Sequence, residues 1–332
     1  MIEQYSNIVD RAVIIQALEQ WGTPFSTALL DPACTIFKVQ GIDGFIGYRK
    51  IGSCIMVFGE PVCPAENLSV LMNAFHHHFT VRSINIIYIA VSQEFKKSAL
   101  HHKHGTATLQ IADEIILDPM EDPMTRTGKK ASLLRNKYNQ SIRDGVQVKE
   151  YLSHDPTLEQ ALENIGKIWS QQRKGPQMYL FSGSIFENRP NKRWFYAEHN
   201  HRIIGLVLLN RVGSQQGWVL NILMTSPEAP PSTSEFMILA LLAILRTEEC
   251  RYFSMGPSPV KQLANMDGFG ALTRWIAYGV YGSVNKIFRF YNRQRYWEKF
   301  HPQKRPSFFV FNKARIRIPE LIGIMRAFNL KI

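Results

Sequence analysis

The sequence predicts an α/β protein, in the broad sense that includes α+β, made of two units in tandem. Three observations carry that reading. At 332 residues the chain exceeds what one ordinary hydrophobic core organises, so two domains are expected. Apolar residues make up 45% and charged residues 20%, the balance of a globular chain rather than a disordered one. Short apolar runs broken by Gly and Asp alternate with segments of helical spacing, and the order recurs past residue 120. The expected units are 1–120 and 121–332, of similar topology and meeting along a shared cleft.

Taken in order, MIEQYSNIVDRAVIIQALEQW has helical spacing. It carries acids where a signal segment would place a basic stretch before an apolar run. The stretch from FSTALL to GEPV reads as three or four strands split by Gly and Asp turns. ENLSVLMNAFHHHF is helical, INIIYIAV a buried strand, SQEFKKSALHHKHG a helix closed by Gly105, and TLQIADEIILDP a further strand.

In the second unit, GKKASLLRNKYNQSIRDG is a helix with Leu134, Tyr138 and Ile142 on its apolar line and Gly145 at its end. DPTLEQALENIGKIWSQQRKG is another helix. RWFYAEHNHRIIGLVLLNRV folds as a hairpin about His199-Asn200-His201, and GWVLNILMT continues as a strand. STSEFMILALLAILRTEE is a strongly apolar helix in which Ser232 and Glu235 have capping-box spacing. RYFSMGP returns as a strand. Two successive units of hairpin, strand, helix and strand point to duplicated acetyltransferase-like domains.

A net charge of +12 favours an anionic partner such as RNA, phospholipid head groups or a phosphorylated substrate. A generally basic surface with no specific partner is the alternative. The densest feature is FRFYNRQRYWEKFHPQKRP, where aromatic and basic residues interleave; a packed edge, a nucleic-acid platform and a groove for an acidic substrate all compete to explain it. No window offers the roughly 18 apolar residues of a membrane span. The four cysteines form no C-x-x-C pair, which suits a reduced, cytoplasmic chain. The runs His76-His77-His78 and His101-His102-Lys103-His104 resemble metal motifs, yet consecutive helical residues diverge by about 100° and do not converge on one ion. Neither Gly-x-x-x-x-Gly-Lys nor Gly-x-Gly-x-x-Gly occurs.

GEPVCPAEN, ADEIILDP, KASLLRNKYNQSIRDG, HRIIGLVLLN, SPEAPPSTSEFMILALL, RYFSMGP and RYWEKFHPQKRPSFFVF occur in that order. The series resembles the C-terminal catalytic domain of bacterial phosphatidylglycerol lysyltransferases, the aminoacyl-phosphatidylglycerol synthases, over residues 45–312. The resemblance implies two tandem GNAT (acyl-CoA N-acyltransferase)-like domains, similar also to Fem-type aminoacyltransferases. It implies transfer of an aminoacyl group from tRNA to a lipid hydroxyl, with aminoacyl-tRNA as co-substrate and no metal or other cofactor. Full-length members carry a bundle of membrane helices that is not in this sequence, so contact with the inner face of the membrane is expected to be peripheral. The Gln/Arg-x-x-Gly-x-Gly/Ala loop that holds coenzyme A would fall near PEAPPSTSEF and is absent, which disfavours a coenzyme A-dependent N-acetyltransferase.

The chemistry asks for a positioned acceptor hydroxyl, help with its proton, donors to a developing oxyanion, and cations for tRNA phosphates. Glu235 matches an acid of the family motif, as a holder of the donor amine or a base; the competing reading is a helix cap. Where lysyl- and alanyl-transferring members read roughly Asp-Leu-Met-Arg-Tyr, this chain has Asn221-Ile222-Leu223-Met224-Thr225. Asn221 orients a substrate but is no base, and Met224 fills space where the family has a cation. That suggests a less basic aminoacyl group than lysine, or a catalytically silent module binding RNA or anionic lipid. Arg135 and Arg143 match the family's basic helix, to which Lys129, Lys130 and Lys137 add charge; the competing reading is a solvated face. Lys299 lies in the family's Lys-Phe-x-Pro, with Arg293, Arg295 and Lys304 rimming an anionic site, and Tyr291, Tyr296, Trp297 and Phe300 as core or groove wall. Ser232 and Thr233 open a helix N-terminus suited to an anion. A tail helix from Pro319, with Leu321, Ile322, Met325 and Phe328 on one face, is read as packed on its own domain or lying at a membrane surface.

Overall fold

The structure, a computed structural model, describes residues 10–30, 34–80, 84–172, 185–186, 189–288, 295–316, 320–321 and 323–324. The first half runs α1 (Arg11–Trp21), β1 (Thr35–Phe37), β2 (Ile46–Ile51), β3 (Cys54–Phe58), α2 (Leu68–Thr80), β4 (Asn85–Val91), α3 (Gln93–His101) and β5 (Ala107–Leu117). The second runs α4 (Lys129–Arg143), β6 (Gln147–Tyr151), α5 (Pro156–Gln172), β7 (Lys192–His199), β8 (Arg202–Val212), β9 (Gly217–Thr225), α6 (Thr233–Thr247), β10 (Phe253–Asp267), α7 (Ala271–Phe288) and β11 (Gln303–Phe311).

Among the described residues, eleven strands join one sheet, ordered β1-β2-β3-β4-β11-β5-β10-β9-β8-β7-β6. Two pairs are parallel, β3 with β4 and β9 with β10; the others are antiparallel. Read from either end, the pattern is the same apart from the extra edge strand β6. At its centre the two halves exchange strands: β11 of the second half lies between β4 and β5 of the first. β5 in turn lies between β11 and β10. The boundary expected near residue 120 falls in the connection between β5 and α4, and the sheet does not divide there.

Strand alternation feeds a core on each face. Along β3, Cys54, Met56 and Phe58 pack with α1, while Ile55 and Val57 pack with α2. Along β8, Val207 and Leu209 join α6, while Leu206 and Leu208 join α5. The β7–β8 hairpin turns on Asn200 and His201, with φ of 49° and 60°, the left-handed pair of a type I′ turn.

Several elements depart from expectation. Lys103, at φ 59°, takes the left-handed position after α3. Gly105 is needed instead for closeness, since a Cβ there would lie 2.5 Å from Val310 Cγ1. On α4 the inward line is Ala131, Leu134, Tyr138 and Ser141, and Ile142 is 52% exposed. β6 went unread because only Tyr151 of its five residues is buried. β10 extends to 15 residues, across bulges, instead of ending at Pro257.

Candidate active site

The loop between β9 and α6 carries Pro227, Pro230 and Pro231, and Thr233 N–H donates to Pro230 O at 3.0 Å, which starts the helix. The capping box expected there is not formed. Ser232 makes no capping bond; its hydroxyl donates to Gln140 Oε1 at 3.3 Å. Thr233 spends its hydroxyl on Pro230 O at 2.8 Å. Both residues are buried.

Glu235, 4% exposed, is occupied otherwise. Its Oε1 accepts from Lys137 Nζ of α4 at 2.7 Å and from Lys299 Nζ at 2.5 Å. Its Oε2 accepts from Ser234 Oγ at 2.9 Å, and Ser234 accepts from Tyr296 OH at 3.0 Å. Lys299 also lies 3.7 Å above the Tyr296 ring centroid. Three stretches far apart in sequence therefore close on one carboxylate. Packing explains how they are held: Tyr138 of α4 meets Phe236 of α6 at 5.1 Å between rings, and Trp297 and Phe300 are buried in the same cluster.

Electrostatics follow from one carboxylate lying between two ammonium groups. Burial works to raise the pKa of Glu235, but hydrogen bonds from Lys137 and then Lys299 outweigh it and hold the carboxyl below its ordinary value. Lys299 is lowered, because burial and repulsion from Lys137 exceed what its share of Glu235 returns. Burial, then the Glu235 charge, raises Tyr296. The result is a buried centre with a net positive charge.

The β9–β10 pair has only two registered positions, Trp218 with Phe253 and Val219 with Ser254, so the strands part beyond them. Asn221 is exposed just past that point, and it is the extra residue of a bulge, because Leu220 and Ile222 face the consecutive residues Leu209 and Leu208. Met224 is 1% exposed and fills the core beneath α5.

The cations divide by partner. Arg135 turns back onto its own chain, donating to Met124 O at 2.6 Å and Arg126 O at 3.1 Å. Arg143 and Arg295 are exposed, and Lys304 pairs with Glu298 at 3.2 Å. Arg293 and Tyr291 lie outside the described residues, as does most of the tail from Pro319. His301 is lowered by burial, then by the charges of Arg126, just before α4, and Lys130, in its first turn. Sequence reasoning missed the convergence on Glu235; the available signal was Lys137, a charged neighbour of an inward line.

The sequence profile described as "Phosphatidylglycerol lysyltransferase, C-terminal" matches residues 16–311. A phosphatidylglycerol lysyltransferase of Staphylococcus epidermidis is 21% identical over 329 residues, which are 97% of this chain and 38% of that protein. Among solved structures, L-PGS from Bacillus licheniformis superposes with a TM-score of 0.80 at 19% identity, covering 100% of this chain and 99% of that one. The C-terminal domain of a putative lysylphosphatidylglycerol synthetase from Agrobacterium fabrum gives 0.76 at 16% identity, covering 97% and 96%. The fold is the expected tandem of GNAT-like units, and the chain spans 38% of the length of the curated relative.

Proposed function

This chain belongs to the phosphatidylglycerol lysyltransferase C-terminal family, and from that premise we propose that it moves an aminoacyl group from a tRNA ester to the hydroxyl of a phospholipid head group. The observation that carries the reading is the buried Lys137–Glu235–Lys299 centre. In the reaction the acceptor oxygen attacks the ester carbonyl, an oxyanion develops, and the bond to the tRNA ribose oxygen breaks. The acceptor's proton ends on that leaving oxygen, so nothing is oxidised or reduced.

A buried cation beside the carbonyl favours the oxyanion over the neutral ester. Lys299 is the catalytic residue in this proposal, and Glu235 is a positioning residue. Glu235 has both oxygens engaged by its own chain, which leaves it a poor base and a poor seat for the donor amine. Asn221, exposed where β9 and β10 part, is placed to orient a substrate by hydrogen bonds. Lys130 at the start of α4 and exposed Arg143 and Arg295 offer contacts for tRNA phosphates. This proposal places the chain at the cytoplasmic side, where aminoacyl-tRNA is present.

The test is transfer of labelled amino acid from aminoacyl-tRNA to phosphatidylglycerol vesicles. Lys299→Met, which leaves the Lys137–Glu235 pair in place, is expected to lower the rate about 10²–10³-fold at a melting temperature near wild type, and Glu235→Gln to lower both rate and stability, with partial recovery of both by Glu235→Asp. A wild-type rate for Lys299→Met sinks the mechanism.

A further inference from the structure

Among the described residues, helix α7 is held along a narrow seam and exposes large apolar side chains on the other side. Ala277 and Tyr281 pack on the core under β10, the Tyr281 hydroxyl donates to Val260 O at 2.5 Å, and Asn285 Nδ2 donates to Lys261 O at 3.1 Å. These residues stand at i, i+4 and i+8, one face of a helix. The opposite face carries Leu272, Trp275 and Ile276, exposed by 71%, 74% and 44%, and Tyr278 on the flank is 47% exposed. Four of the large exposed apolar side chains thus fall within the first two turns of one helix.

Charge says what covers them. Helix α7 contains Arg274 and Lys286, both exposed, and no acid. From 271 to 316 there are ten Lys and Arg against the single acid Glu298. Ile316 packs on the same cluster as Ala277 and Tyr281, so exposed Lys313 and Arg315 border this side of the molecule. Trp and Tyr beside cations, with an apolar stripe, is the chemistry of an interfacial helix on anionic lipid.

We propose that the outward face of α7 seats the protein on an anionic bilayer, with Leu272, Trp275 and Ile276 entering the head-group region. The proposal rests on the lipid acceptor argued above. Phosphatidylglycerol presents its hydroxyl only at that plane, so a face that docks there brings the chain to the layer that holds its acceptor.

The experiment is flotation of the whole chain with vesicles of phosphatidylglycerol in phosphatidylcholine, and with phosphatidylcholine alone. The wild type is expected to float with the first, less so at high salt. Leu272→Ser, Trp275→Ser and Ile276→Ser together are expected to lower partitioning at least about tenfold with an unchanged melting temperature. Brominated lipid is expected to quench fluorescence in the wild type and less in Trp275→Phe. Equal flotation of the triple variant, or none by the wild type, overturns the proposal. So does a triple variant that floats normally but changes size on gel filtration, which makes this face an interface between copies. Lys299→Met separates the two ideas, since docking predicts that it floats as wild type while transfer is lost. Flotation that depends on α7, with no transfer by any form, keeps the docking face and removes the aminoacyl reading.

Discussion

Lys137 and Lys299 compete for one carboxylate, and that competition is readable in pH. Lys299 is lowered by burial and by Lys137, so replacing Lys137 with Met removes a like charge and leaves Glu235 undivided. The pKa of Lys299 should then rise, and the alkaline limb of kcat/KM should move to higher pH, because the oxyanion needs the charged ammonium. A limb that stays in place means that it reports another group. His76 offers a stability test of the same kind. It is buried, with Nε2 at 3.0 Å from Tyr88 OH and its ring 4.4 Å from that of His104. Burial, then His104, pushes its pKa down to about 3. The unfolded chain takes up this proton near pH 6.5 and the folded chain refuses it until about 3, so stability falls as pH drops through that window. The loss is about 2 kcal/mol by pH 5. His76→Gln keeps a partner for Tyr88 and cannot titrate. Urea unfolding at pH 7 and pH 5 should show that much less acid loss in the variant, and an equal loss would assign the effect elsewhere.

At the scale of elements, α4 matters because it delivers Lys137. Leu134 is fully buried between α4 and α6, and Leu134→Ala should cost about 2–5 kcal/mol by thermal unfolding. It should also lower transfer more than an exposed control such as Leu133→Ala, with Leu133 at 45% exposure. Equal transfer by the two would mean that α4 packing does not hold the centre. Which elements the sequence disclosed follows from how locally each is specified. INIIYIAV is a strand because it is buried on both faces, and the α6 segment is so apolar that it must be a core helix. β6 is a polar edge strand and gave no alternation to read. α7 holds Gly279, Gly282 and Val280, all weak helix formers, and Leu272, Trp275, Ile276 and Tyr278 point away from the core, so its pattern does not announce a helix. The family motif located Glu235 and Lys299, whereas their contact with each other and with Lys137 is a tertiary fact across 64 residues and more. The capping box was a local reading overruled by two lysines from elsewhere in the chain.

At the scale of the molecule, the exchange of central strands decides what each half can do alone. Without β11, β4 and β5 of the first half have no strand between them, and two backbone edges meant for the interior are left open. The second half without β5 loses the partner of β10 and of β11, including the bond from Ser254 Oγ to Glu114 Oε1 at 2.7 Å. Phe308, Phe309, Val310 and Phe311, all buried, belong to the first half's two cores although the second half supplies them. Open edges and bared aromatics of this kind drive aggregation. Residues 1–120 and 121–332 expressed separately should therefore be insoluble or lack a cooperative thermal transition. Co-expressed from one cell, they should associate and regain one, because every strand then finds its neighbour. Far-ultraviolet dichroism and gel filtration of the separate and combined fragments provide the measurement. If residues 1–120 alone melt cooperatively as a monomer, the strand exchange is a late docking of two finished domains and the centre at Glu235 can form without the first half. If only the pair folds, the fold and the reaction centre are one cooperative unit, and any change to β5 or β11 should be felt at Lys299, which enters the site four residues before β11 begins.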